Sequence, residues 1–269
     1  MKVRQPTFDF SKSNAHWAKN VEFTQFFNAG SAGIPQLERF LNRTLARASA
    51  KLDPSDPNTE SLRADIRTFI RQEAGHYKNH DAFNEMIARR YDISKHVQQL
   101  ADSFERLSQT KSLAFLCAYC DGFETVGPPA AVQWLDKFED LLEGADPEVV
   151  RLWKWHLMEE YEHRTVAYDV FKAVHGGYFM RVYGLIYHLV HFHTITGNLL
   201  NSMIETDNAT MSPAEIKASK KRRRKLMLRL LTGLSVGALK ALSPFYSPRN
   251  AKEPRNYRAY MAKVDGGLG

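Results

Sequence analysis

The 269-residue chain contains two cysteines, Cys117 and Cys120. Two thiols cannot supply the disulfide framework of a small secreted fold. They lie three apart inside an apolar run, which points to a reduced, cytoplasmic chain with both residues in the core. Glycine (15) and proline (11) are too few for a collagen-like or low-complexity composition. No alternating run of β-branched residues with hairpin turns appears, so a sheet is not expected. The stretch MKVRQPTFDFSKSNAHW lacks the apolar centre of a signal peptide. Residues 178–204 are long and apolar, but they carry Arg181, His188, His191 and His193. That is too polar for a simple membrane span and fits a buried helix better. Hydrophobic residues make up 43%, enough for a real core, which excludes general disorder.

Acidic residues are the minority, 30 against 37 Lys and Arg, for a formal charge of +7. The excess is local. Residues 206–269 hold 14 basic and 4 acidic side chains, a net of +10, which leaves −3 for residues 1–205. The division suggests a mildly acidic body, 1–205, and a basic C-terminal extension, 206–269.

The periodicity is helical almost throughout. Helices are expected over 34–52, 59–91, 96–126, 129–143, 147–175 and 178–204. Pro35 would stand in the first turn of the first and Thr59 would cap the second. Asp146 and Pro147 open the helix at 147, and Gly176-Gly177 stop it.

Two of these helices carry Glu-x-x-His: Glu73 with His76, and Glu160 with His163. Residues three apart share a helix face, so each pair can offer a carboxylate and an imidazole to one point. A four-helix metal site adds one glutamate from each of two further helices. Glu38 stands 35 residues before Glu73, and Glu124 stands 36 before Glu160. The halves are offset by 86 residues (Glu38 to Glu124) and 87 (Glu73 to Glu160). Two helical hairpins whose mid-helix residues meet at one level would give this near-repeat. Glutamate is also common on solvated helix faces, but Glu124 lies in the apolar run LAFLCAYCDGFETV. Burying a charge there needs compensation. The expected metal ligands are therefore Glu38, Glu73, His76, Glu124, Glu160 and His163. Oxygen and imidazole donors without thiolate favour two iron or manganese ions over a structural zinc.

The stretches FIRQEAGHYKNHDAFN (69–84) and WHLMEEYEHRTVAYDVF (155–171) resemble the two signature stretches of a bacterial family labelled "predicted metal-dependent hydrolase". GIPQLERFL (33–41) resembles its first-helix motif. That family is similar to the ferritin-like di-iron carboxylate proteins. The resemblance spans roughly residues 20–205 and implies an all-α, ferritin-like four-helix bundle with additional helices. Thr125 stands where the family pattern has a histidine, and Gly127-Pro128-Pro129 should break the helix just past Glu124.

Neighbouring residues leave alternatives open. His80 and His156 are each a further ligand or a supporting donor, or ordinary core histidines. Glu159 rivals Glu160, which is preferred because its spacing repeats Glu73 and His76. Asp169 and the tyrosines 77, 161 and 168 read better as surface and packing residues. His188, His191 and His193 could line a substrate channel or be satisfied core residues.

The basic run KASKKRRRKLMLR (217–229) leads into an apolar helix. An anionic membrane surface met through residues 217–246 is one reading. A helix face docked on the body is another. Nucleic acid ranks third, since no recognition fold accompanies the charge.

Three functions follow. The resemblance to di-iron proteins implies an O2-activating oxidase or oxygenase acting on a small apolar substrate, with the 178–204 helix as a wall of its pocket. The cofactor would be two iron ions, with manganese, mixed manganese and iron, or zinc as alternatives. The family label implies instead a hydrolase using a metal-activated water. The third reading is metal binding without catalysis.

Overall fold

The computed structural model describes residues 1–265, with backbone alone for 233–238. Among the described residues there is no strand. The protein is an all-α helical bundle. None of the described helices is long and apolar enough to cross a membrane.

Helix α1 spans Val21–Ser49, starting well before the expected residue 34. Asn20 caps it by accepting from the Phe23 amide. Pro35 is thus an interior residue and not a first-turn one. Without an N–H it cannot bond the Ser31 carbonyl. Asn84 of the neighbouring helix fills the gap, its Nδ2 donating to that carbonyl at 3.0 Å. The helix that supplies this bond is α2, Thr59–Ala88. Asn58, not Thr59, occupies its cap position, and Thr59 donates instead to the Asp53 carbonyl.

The expected 96–126 helix is two elements. Helix α3 covers Ser94–Thr110, and α4 covers Leu113–Glu124. Ser112 breaks them apart by adopting an extended backbone and accepting from the Phe115 amide. Helix α4 ends at Glu124, as the glycine and prolines require. Gly127–Asp136 then form α5, and a single turn, Glu139–Leu142, forms α6. Helix α7, Pro147–His163, opens with Asp146 accepting from two first-turn amides. It stops at His163, and Val166–Val174 continue as α8. The long apolar helix is α9, Tyr178–Asn208. It extends past residue 204 because Asp207 is anchored, accepting from Tyr91 at 2.7 Å and from Gln25 and Arg90.

Helix α9 crosses α4 closely through two glycines. A Cβ on Gly184 would fall 2.4 Å from the Ala118 carbonyl carbon, and one on Gly122 would fall 2.8 Å from the Leu185 Cα. Both clashes are with backbone, so neither can be relieved by a side-chain rotation.

Helix α10, Pro213–Ala241, begins with a capping box between Ser212 and Glu215. It lies on the body: Leu226 and Leu230 are buried, Arg222 pairs with Glu22 at 2.8 Å, and Arg229 pairs with Asp140. The chain then turns back, and α11, Tyr257–Asp265, reaches the N-terminal segment, where Asp265 meets Arg4 at 2.7 Å.

Gly184→Ala should lower unfolding stability by about 1–3 kcal/mol, the usual cost of overpacking. Chemical denaturation of the purified variant measures it, and an unchanged midpoint would contradict a close α4–α9 crossing at Gly184.

Candidate metal centre

The six expected ligands meet. Glu38 comes from α1, Glu73 and His76 from α2, Glu124 from the last turn of α4, and Glu160 and His163 from α7. His156, one turn before Glu160, joins them. Their donor atoms form two groups that share Glu160: Glu38, His76, His156 and Glu160, and Glu73, Glu124, Glu160 and His163. Each group's atoms lie within 4.8 Å of one another.

Glu73 and Glu160 lie between the halves. Glu73 Oε1 is 3.3 Å from both His76 Nδ1 and His163 Nε2. Glu160 Oε1 is 3.4 Å from His156 Nε2, 3.5 Å from His163 Nε2 and 3.7 Å from His76 Nδ1. Glu38 sits on the side of His76 and His156, its Oε1 3.8 Å from His76 Nδ1 and 3.8 Å from His156 Nδ1. Glu124 sits on the other side, 3.4 Å from His163 Nε2.

These approaches are close but not hydrogen bonds. All eight carboxylate oxygens of Glu38, Glu73, Glu124 and Glu160 are buried without a hydrogen-bond partner. So are His76 Nδ1 and His163 Nε2, the imidazole nitrogens that face them. Native proteins rarely leave one such atom orphaned, because its desolvation goes uncompensated. Ten orphans aimed at one place form a donor set that could hold cations. Carboxylate and imidazole without thiolate suit iron, manganese or zinc. The buried Cys117 and Cys120 lie outside both groups.

The outward nitrogens are partnered, and this assigns the tautomers. His76 Nε2 donates to Glu159 Oε2 at 3.1 Å, leaving Nδ1 as the inward lone pair. Glu159 in turn accepts from Arg4 at 3.1 Å, and Arg4 also binds Glu162 at 2.9 Å. Glu159 therefore supports a histidine and stands outside both donor groups. His163 Nδ1 donates to Gln72 Oε1 at 3.3 Å. Gln72 is oriented by donating its amide to Glu162 at 2.6 Å and to the Lys2 carbonyl at 2.9 Å.

His156 is set by a longer relay. Ser31 Oγ donates to Asn84 Oδ1 at 2.7 Å, so it accepts from His80 Nδ1 at 2.8 Å. His80 Nε2 then accepts from His156 Nδ1 at 3.1 Å. The result is a His156 Nε2 lone pair facing Glu160. Burial pushes both imidazoles well below their ordinary pKa, with neighbouring imidazolium charge adding to it, which keeps this relay neutral. His80 thus orients His156 as a supporting partner.

Electrostatics mark the same centre. Burial, then the charge of Glu73, raises Glu38 well above the carboxylate range. Burial and Glu160 do the same to Glu124, and burial raises Glu73. Burial also opposes the ionisation of Glu160, but His163, His156 and His76 outweigh it and hold this carboxyl at about 2. His76 and His163 are raised because neighbouring carboxylates overcome their desolvation, Glu73 leading at His76 and Glu160 at His163. Metal-free, the cluster must keep protons where metal charge would otherwise lie.

Other expectations resolve elsewhere. Asp169 is a surface residue paired with Arg249 at 2.7 Å. Tyr77 packs under Arg39, and Tyr168 donates to the Tyr246 carbonyl. His191 lies between Tyr119 and Ser103, 2.9 and 3.0 Å away, and outside the donor groups. Arg4, Gln72, Ser31 and Asn84 were not anticipated. Nothing in their spacing distinguishes them, because each acts across the fold and not along a helix.

Fold and site together define an all-α protein built around a buried carboxylate–imidazole centre suited to metal ions. The family described as "Predicted metal-dependent hydrolase" matches residues 2–252, and the chain belongs to it. No curated protein and no solved structure matches the chain.

Two outcomes test the centre. Glu159→Gln should weaken metal affinity by about 10–100-fold, the usual effect of removing a histidine's outer partner; chelator competition reads it. The second concerns pH. Glu38, Glu73, Glu124, His76 and His163 all have raised folded pKa values. Their contribution to metal-free stability is complete below the unfolded values and lost as pH rises through the folded ones. Glu160 acts oppositely: its contribution is complete above the ordinary carboxylate value and is lost as pH falls from there through about 2. Metal displaces the protons, so the melting-temperature gap between metal-loaded and chelator-stripped protein should widen as pH rises. A gap independent of pH would contradict this proton inventory.

Proposed function

We propose that the protein is a hydrolase working through a binuclear metal centre. The observation that carries this reading is the convergence of ten orphaned donor atoms on two groups sharing Glu160, in a member of a family described as metal-dependent hydrolases.

Glu38, His76 and His156 would hold one cation, and Glu124 and His163 the other, with Glu73 and Glu160 between them. Such a pair, when bound, lowers the pKa of water and stabilises negative charge on a leaving oxygen. The chain's own residues do the rest. Four carboxylates neutralise the two divalent charges. Glu159 and Gln72 keep His76 and His163 in the tautomers that present a lone pair inward. The Asn84–Ser31–His80 relay does the same for His156. Phe69 and Trp155 pack against His163 and His76, at ring-centroid distances of 4.7 and 4.8 Å, and shield the centre from bulk water.

One observation favours a second reading. Glu38, Glu73, His76 and His163 are each 0% exposed. A centre so enclosed suits dioxygen, which needs only a narrow passage, and so keeps an O2-activating di-iron oxidase or oxygenase in view.

Metal analysis of protein purified without added metal, followed by two assays, separates the readings. Metal-dependent cleavage of a chromogenic ester series under nitrogen supports the hydrolase. Two irons with oxygen uptake by the reduced protein, and no ester cleavage, would replace it with the oxidase. Glu73→Ala/Glu160→Ala should remove the bound metal and reduce turnover to background in either case; metal retained in stoichiometric amount would defeat the assignment of ligands.

A further inference from the structure

A cavity of about 480 Å³ lies against the outside of the metal centre, between α5 and residues 240–252. That size falls in the range of small-molecule sites. Its inner wall is the turn linking α4 to α5. Thr125 and Pro128 of that turn face the cavity. Glu124 and Gly127 of the same turn face the centre: a Cβ on Gly127 would lie 2.8 Å from Glu160 Oε2. One turn of chain therefore separates the cavity from two of the metal-site carboxylates. None of the α9 residues lines it.

The lining combines apolar and cationic groups. Pro128, Pro129, Val132 and Ala251 give apolar surface, and neither proline has an N–H to offer. Lys137, Lys240 and Lys252 also line it, all exposed, and no acidic side chain does among the described residues. Lys252 has a carboxylate 3.6 Å away, on Asp136. No ion pair joins Lys137 or Lys240 to an acid among the described residues. Phe245 stands at the mouth, 90% exposed.

A mostly apolar lining with two cations that no acid pairs among the described residues, and a third paired with Asp136, suits a ligand that is apolar along its length and negative at one end. We propose that this cavity binds an anionic amphiphile, its chain against Pro128 and Val132 and its charged end at Lys137 and Lys240. That such a compound is also the substrate rests on the hydrolytic reading above. The binding does not.

Calorimetric titration of the full chain with dodecanoate, below the concentration at which it forms micelles, tests the proposal. Dodecanol, dodecyl phosphate and anionic phospholipid vesicles serve as parallel probes. Dodecanoate or dodecyl phosphate should bind saturably, and dodecanol about tenfold or more weakly. Lys137→Glu/Lys240→Glu should weaken the anions by about tenfold while sparing dodecanol, the scale of two partly exposed charge contacts. Val132→Trp, with its helical circular dichroism intact, should abolish binding of both. Glu73→Ala/Glu160→Ala should still bind, which separates failure of the cavity from failure of the metal centre. Equal affinity for dodecanol and dodecanoate, unchanged binding by Val132→Trp, or association with vesicles but not with monomeric amphiphile would each overturn the assignment.

Discussion

Four carboxylates buried together cannot all carry charge unless cations stand between them. That constraint organises this protein. Glu38, Glu73, Glu124 and Glu160 come from four different helices and are almost wholly buried. Their mutual repulsion and desolvation push three of them towards the protonated form, while the imidazoles hold Glu160 ionised. Such a cluster is a standing cost to the metal-free fold. Bound metal ions would turn the same atoms into a cross-link among α1, α2, α4 and α7.

The layer outside these carboxylates and imidazoles makes the arrangement specific. Each inward-facing imidazole has its other nitrogen engaged, and the partners differ: a carboxylate locked by Arg4 for His76, an amide for His163, and a second histidine for His156. The centre is therefore not symmetric, although its sequence is nearly repeated. Two imidazoles serve the Glu38 side and one serves the Glu124 side. The relay to His156 is tied to a backbone irregularity. Asn84 bonds the Ser31 carbonyl that Pro35 leaves without a helical partner, and the same asparagine receives the Ser31 hydroxyl. A proline three residues from Glu38 thus helps fix a histidine on another helix.

Much of this was legible in the sequence, and the limits have physical causes. Helical periodicity and the paired Glu-x-x-His stretches report local geometry, so they located α2, α7 and four donors. The near-equal offsets added Glu38 and Glu124, because residues meeting at one level must recur at one spacing. His156 was visible as one turn from Glu160, yet spacing cannot say which nitrogen faces inward. That depends on Ser31 and Asn84, on two other helices. Arg4 was invisible for the same reason, acting on Glu159 across 155 positions. The start of α1 is hidden in the sequence because Pro35 reads locally as a helix start, and a tertiary bond from Asn84 makes it tolerable inside one. The basic C-terminal charge, read by composition as a separate feature, is partly spent on ion pairs to Glu22 and Asp140 and on lining the cavity beside the centre.

The most direct test of the account is the anomalous diffraction of crystals grown with manganese or iron. Two peaks per chain are predicted, on either side of Glu160: one among Glu38, His76 and His156, the other among Glu73, Glu124 and His163. A single peak, or none at these residues, would contradict a binuclear centre.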